Sequence, residues 1–367
     1  MRITPFEAHL PKVEQISDPD QFFPGIKESF AQYLEQGLYS RLTQPGVFVY
    51  KITKAARTYL GLLGCADIQE YLSGNIKKHE KTLISKQELH LQLFQQHQAM
   101  IKPVLLAYPA VAGISHWMQE VTTTVDPSFK IDFALEDQKH QLWQVVDLQN
   151  LAYIQELFAT FVPNCYIADG HHRCATAASI YEEKKLHGAA DGQFFCALFP
   201  SSDLEILDFN RVIQSLDGQH SAIFLDRLRG LFTITALETP QKPSQKFTLT
   251  MLLNNQWYHL AWKPEVLDRY AWEKVILDTQ LLNELVLRDL LGILDVRKDF
   301  RVINIEGPLG LEGVAKKIND PANGVGFCLF PVALQDMMTL SDHEQMLPPK
   351  STWFEPRMKT GLVVCQL

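Results

Sequence analysis

Apolar positions along this chain follow two periods, and the alternation between them predicts its elements. Residues 26–38 place Ile26, Phe30, Tyr33 and Leu34 on one helical face, with Gly37 as a stop. After a turn expected at Pro45-Gly46, the runs 47–52 and 58–66 are β-rich and flank a polar, basic connector, the layout of a hairpin. Helical spacing returns at 86–100 and 148–161, strands are predicted at 103–108 and 141–147, and Pro163-Asn164 ends the later helix. Residues 165–168 form a short apolar strand, Asp169-Gly170 is a turn dipeptide, and an alanine-rich helix runs over 171–187 to Gly188. Another apolar strand follows at 194–200.

Asp217-Gly218 is where the pattern predicts a seam, dividing the chain into domains 1–218 and 219–367. Beyond it come an amphipathic segment at 222–231 and two alternating runs, 247–251 and 257–262, joined across Asn254-Asn255 as a hairpin. A leucine-rich helix at 279–291 and strands at 326–330 and 361–367 complete the second half. The predicted class is therefore α+β, a mixed α/β chain with antiparallel sheet in its second half. No internal repeat or low-complexity tract interrupts it.

Composition narrows the partners. With 367 residues, 46% hydrophobic and 21% charged, the chain can bury a sizeable core. A formal net charge of −8 argues against nucleic acid and acidic membrane as partners, but leaves a small anionic ligand or nucleotide open. No apolar run reaches the ~18 residues of a membrane span, and an acidic residue stands among the first ten, so a cytoplasmic location is expected. Six cysteines are scattered without a Cys-x-x-Cys pair and sit mostly in apolar runs, which predicts buried thiols.

Three segments carry candidate chemistry. In Tyr166-Ile-Ala-Asp-Gly-His-His-Arg173 a strand, a tight turn and a helix start follow directly. Unpaired amides and the partial positive charge of a helix N-terminus suit a phosphate or carboxylate, and Gly170 would let the backbone approach it. Arg173 in the first turn opposes the macrodipole unless an anion stands nearby. The competing reading makes Asp169 a helix cap, with His171, His172 and Arg173 satisfying neighbouring carbonyls. In Ile76-Lys-Lys-His-Glu-Lys-Thr82, Glu80 stands among lysines beside His79, surroundings that keep a carboxylate ionised and able to accept a proton; a solvated charged loop is the alternative. Pro348-Pro-Lys-Ser-Thr352 is a stiffened turn offering Lys350, Ser351 and Thr352 to an anion, or merely a rigid surface turn, and Arg211 suits either a phosphate or a structural ion pair.

These pieces, with Leu142-Trp143, Phe209-Asn-Arg-Val212, Leu290-Leu-Gly-Ile293, Gly326-Phe327 and Gly361-Leu362, resemble in order a bacterial and archaeal family of unknown function, DUF1015. That family is similar to the ParB and sulfiredoxin nucleotide-binding fold, so the resemblance implies a ParB-like first half. One branch of the fold is the free serine kinases. The resemblance implies a nucleotide-dependent phosphotransferase acting on a small hydroxyl, with free L-serine the first candidate and ATP or ADP with Mg²⁺ as cofactor. Glu80, with His79, would be the catalytic base. Gly170, His171, His172, Arg173 and Arg211 would hold phosphates, Asp169 would serve catalysis and bind Mg²⁺, and Lys350, Ser351 and Thr352 would close the site. Run toward water, the same residues give a phosphohydrolase; without a base they give a nucleotide or anion sensor. A sulfiredoxin-like redox role would need a reactive Cys174.

Overall fold

In a computed structural model, residues 1–186 and 192–366 are described, and they form two compact units. The first comprises Met1–Leu204 with Pro356–Leu367, the second Glu205–Glu355. The division falls at Leu204/Glu205 rather than at Asp217-Gly218. That turn dipeptide, with both residues at positive φ, only connects the strand Phe209–Ile213 to the helix Ser221–Arg229 inside the second unit. The end of the chain returns to the first unit, where Val364–Gln366 pairs with Phe6–Pro11 and with Ala99–Met100.

The first unit is built on a branched, mixed sheet. Along one path lie Ile76–Lys77, Cys165–Asp169, Val104–Tyr108, Gln193–Pro200, Arg57–Asp67 and Tyr39–Lys54. The expected hairpin is present, its ladder closing at Lys54 and Arg57. Pro45-Gly46 is not a turn: Tyr39–Lys54 passes straight through it, and Gly46 is needed because a Cβ there would come 2.8 Å from the Val145 carbonyl. Phe6, Phe48 and Phe195 meet in the core with ring centroids 5.4 and 5.0 Å apart, each burial contributing roughly 2–3 kcal/mol. The helix Leu148–Phe161 starts where the Asp147 carboxylate accepts the Asn150 amide at 2.9 Å and buries Leu151, Ile154 and Phe158 at helical spacing.

Three strands of this sheet decide where chemistry gathers. Ile76–Lys77 runs parallel to Cys165–Asp169, so Lys78 and His79 leave the sheet at the end where Asp169 stands. Val104–Tyr108 runs antiparallel to it, with Leu105 opposite Asp169 beyond an irregularity, so Lys102 enters the sheet at that same end. The helix His171–Leu186 starts there too; its expected stop at Gly188 lies outside the described residues.

The second unit holds a six-stranded antiparallel sheet, in the order Phe232–Leu237, Gln256–Trp262, Thr248–Leu253, Val325–Leu329, Phe209–Ile213, Val302–Glu306. The hairpin turns at Asn254 and Asn255, both at positive φ, the conformation that selects asparagine in two-residue turns. The predicted leucine-rich helix is short, Asp278–Leu281, and widens into a π-helical stretch at Leu282–Arg288. Strands Phe6–Pro11 and Phe129–Phe133 and helices Ala112–Thr124 and Leu334–Asp342 were not legible in the pattern.

Candidate functional site

The head of the helix His171–Leu186 carries no acidic residue in its first turn, and its cation is answered from just outside the helix. Arg173 Nη2 donates to Asp169 Oδ2 at 2.7 Å. Its Nη1 donates to the Lys102 carbonyl at 3.2 Å and also to the Pro103 carbonyl. The anion that offsets Arg173 is thus the protein's own carboxylate, and the guanidinium fork ties two strand ends together. Gly170 follows from this arrangement. It sits at φ +107°, and a Cβ there would lie 2.8 Å from Arg173 Nη2, so the glycine makes room for the guanidinium.

Two cations share the carboxylate at the turn. Lys102 Nζ lies 3.6 Å from the same Asp169 Oδ2. Burial pushes the Asp169 carboxyl up, but Arg173, Lys102 and Arg357 outweigh it and hold it well below the usual carboxylate range. Burial draws Lys102 down to about 8 against the pull of Asp169, and Arg173 and Arg357 add to the lowering. Three cations therefore bear on one carboxylate.

Histidines line the adjoining wall. The rings of His79 and His171 meet edge to face, centroids 4.4 Å apart, and the His79 amide donates to His171 Nε2 at 3.3 Å. With Nε2 accepting, the proton of neutral His171 sits on Nδ1. Burial draws His79 down to about 4, a hydrogen bond to the Ile167 backbone and the Asp169 charge opposing it. Burial, then the neighbouring His79, holds His171 well below its ordinary value. His172 accepts the Leu83 amide at Nδ1 over 3.4 Å and stacks on His90, which burial and Arg173 bring down to about 4.

Of the residues singled out in the sequence, His79, Asp169, Gly170, His171, His172 and Arg173 come together here. Glu80 follows His79 directly and is exposed. Lys102 and His90 also belong to the cluster but were missed, and Arg357, noted in the sequence only beside the turn at 348–352, bears on Asp169 as well. Lys102 stands 67 positions before Asp169, and only the antiparallel register brings the two together.

Arg211, Lys350, Ser351 and Thr352 belong to the second unit. Arg211 is wholly buried and donates to four carbonyls: Phe209 at 3.2 Å, Asn210 at 3.3 Å, Pro349 at 3.0 Å and Lys350 at 2.8 Å. It is committed to the Pro349-Lys350 turn rather than steadying a phosphate. Ser351 is buried and donates its hydroxyl to the Pro348 carbonyl at 2.6 Å, Lys350 is exposed at φ +58° with its ammonium 5.3 Å from the Phe209 ring centre, and Thr352 is half-buried.

Asp169 Oδ2 is shared by two cations, and among the described residues no three His, Cys, Asp or Glu side chains are placed to hold a metal ion by themselves. A redox centre does not fit at Cys174, because burial pushes its thiol far up. Among the described residues no helix is long and apolar enough to cross a membrane.

An α+β chain in which a strand, a glycine turn and a helix head meet, with Lys102 and Arg173 on one carboxylate, is the class this site defines. The chain matches the model of the family described as "Protein of unknown function (DUF1015)" over residues 5–290 and belongs to that family. Comparison with curated proteins gives no match. Among solved structures the chain is similar to SbnI with C-terminal truncation from Staphylococcus aureus, at 12% identity and a TM-score of 0.41, covering 81% of this chain and 85% of that one. It is also similar to a free serine kinase mutant in complex with ADP, at 14% identity and a TM-score of 0.36, covering 81% and 91%. A conserved hypothetical protein from Pyrococcus furiosus aligns at 12% identity and a TM-score of 0.36, covering 81% and 92%.

Proposed function

We propose that the head of the helix His171–Leu186 binds the phosphate of a nucleotide, and that the protein transfers a phosphoryl group to a small hydroxyl acceptor, free L-serine being the first to test. The observation that supports this is the gathering of Lys102, Arg173 and Arg357 about the single carboxylate of Asp169 at a helix N-terminus. Such a place favours a further anion, through the helix dipole and through Lys102 and Arg173, which share the one Asp169 carboxylate. Phosphoryl transfer needs chiefly positioning and charge neutralisation, which this arrangement supplies.

Glu80 is the base in this reading. It is one residue from His79, whose amide is bonded to His171, so its backbone is held close to the helix head. Its carboxylate takes the acceptor's hydroxyl proton as the oxygen attacks the terminal phosphorus. The bond from that phosphorus to the bridging oxygen breaks, and the shortened nucleotide leaves with the electron pair. His79 and His171, kept neutral by burial, hold the wall in shape and add no charge of their own.

Phosphorus NMR on the protein incubated with ATP and L-serine, with ADP and L-serine, and with phosphoserine alone tests the reading. Phosphoserine should form in one of the first two mixtures, and Glu80→Gln should slow it roughly 10²-fold or more. Activity within a few-fold of wild type would remove Glu80 as the base. Phosphate released from phosphoserine alone would make the protein a phosphohydrolase, and saturable nucleotide binding without turnover would make it a sensor.

A further inference from the structure

We propose that Lys102, not Arg173, is the cation that holds the ligand's phosphate, and that Asp169 and Arg173 form a clamp that positions it. The inference rests on the phosphate-binding reading above and assigns the parts within it. Arg173 is the residue that the Asp-Gly-His-His-Arg pattern points to, yet its guanidinium is already occupied. Its side chain is 12% exposed, its two terminal nitrogens serve the Lys102 and Pro103 carbonyls and Asp169 Oδ2, and its plane lies against Gly170 where a Cβ would stand. A phosphate taking those donors would leave two carbonyls at the start of the strand Val104–Tyr108 without them.

Lys102 differs in each respect. Among the described residues its ammonium has one ion-pair contact, 3.6 Å from an oxygen already bonded to Arg173 at 2.7 Å, and its side chain is 23% exposed. An ammonium carries three donors, and a contact at 3.6 Å is longer than a formed hydrogen bond. Both carbonyls held by Arg173 belong to Lys102 and to the residue after it, so the clamp fixes the backbone from which this ammonium extends. Asp169 aligns both cations, and its one charge does not neutralise both.

Calorimetric titration of the full chain with inorganic phosphate and with ADP decides the matter. Lys102→Met should weaken both at least about tenfold, the loss of one charge-assisted contact, while Lys102→Arg should stay within about threefold of wild type. Arg173→Lys keeps the charge but not the fork. As a clamp it should lose nearly as much binding as Lys102→Met, and the double variant should bind no worse than Lys102→Met alone. Binding by Lys102→Met within twofold of wild type overturns the assignment and leaves the phosphate site standing, as does full additivity in the double variant. Absence of any phosphate or ADP binding by the wild type removes the site and this assignment together. If Arg173→Lys proves unfolded by near-ultraviolet circular dichroism, the two Lys102 variants decide alone.

Discussion

Each unit contains an arginine that grips the carbonyls of a lysine-proline pair, and the two are stabilised in opposite ways. In the first unit Arg173 takes the carbonyls of Lys102-Pro103 and is balanced by Asp169, and in the second Arg211 takes those of Pro349-Lys350 with no carboxylate partner among the described residues. Arg211 is instead bonded through its two terminal nitrogens to carbonyl oxygens, its Nε finding no partner among the described residues, and burial brings the guanidinium down to about 10. A balanced guanidinium can stand at an accessible sheet end, whereas an unbalanced one is kept only where its whole surroundings are built to accept it. The first arrangement leaves charge over for a ligand; the second fixes the shape of a turn.

The largest effect should therefore come from Arg211→Ala. It empties a fully buried volume and strips four carbonyls of their donor, which should cost the second unit roughly 3–5 kcal/mol. Arg173→Ala strips two carbonyls and one carboxylate beside a partly open edge and should cost roughly 1–3 kcal/mol. Urea unfolding of the two variants measures both, and equal losses would erase the distinction between the two arginines.

Acidification should separate the units next, because their buried titrating groups respond with opposite sign. In the first unit His79 is drawn down to about 4 by burial, so the folded state binds its proton less readily than the unfolded chain does. Its stabilising contribution is complete above the ordinary histidine value of about 6.5 and is lost as pH falls toward 4, about 3 kcal/mol in all. His140 follows the same course, drawn down to about 3 by burial and then Lys359. In the second unit burial raises Asp278 to about 6, although its carboxylate accepts the Phe247 amide and the Trp262 indole, each at 3.0 Å. A raised carboxyl contributes most below the ordinary value of about 4 and loses that contribution as pH climbs through 6, again about 3 kcal/mol. Hydrogen exchange at pH 7 and pH 5 should show protection falling in the first unit and rising around Thr248–Leu253 in the second. Asp278→Asn should abolish the rise.

The sequence carried what is decided locally. Asn254-Asn255 marked its hairpin because asparagine tolerates positive φ, and Asp169-Gly170 marked its turn for a like reason. Ile26 and Phe30 showed the buried face of Ile26–Glu35 because packing on one side imposes the helical period. What depends on register was hidden: nothing near Lys102 in the chain announces Asp169 or Arg173. The same limit hid the division at Leu204/Glu205, since the return of Val364–Gln366 to the first unit is a long-range pairing. Arg173 misled for a related reason. A cation in a first helical turn implies a nearby anion, but the pattern does not say whether that anion is a ligand or the residue four positions back.

The thiols give the smallest and most local test of the contrast between units. Cys65, Cys165, Cys174, Cys196 and Cys365 lie in the first unit and Cys328 in the second, all free and buried. Burial pushes Cys165 up to about 12, so at neutral pH reagents should meet none of them until the fold opens. A pyridyl disulfide reagent, which reacts in acid, should then report which unit opens first. At pH 5, with the histidine contribution of the first unit reduced and the carboxyl contribution of the second restored, peptide mapping should find its five cysteines labelled ahead of Cys328. The order follows from the histidines and Asp278, because opening is set by the free-energy gap of each region and not by the thiols themselves. Cys328 labelled first would mean that the second unit opens ahead of the first and would overturn the assigned titrations, whereas all six labelled together would mean that the two units open as one and that their opposite titrations cancel within a single transition.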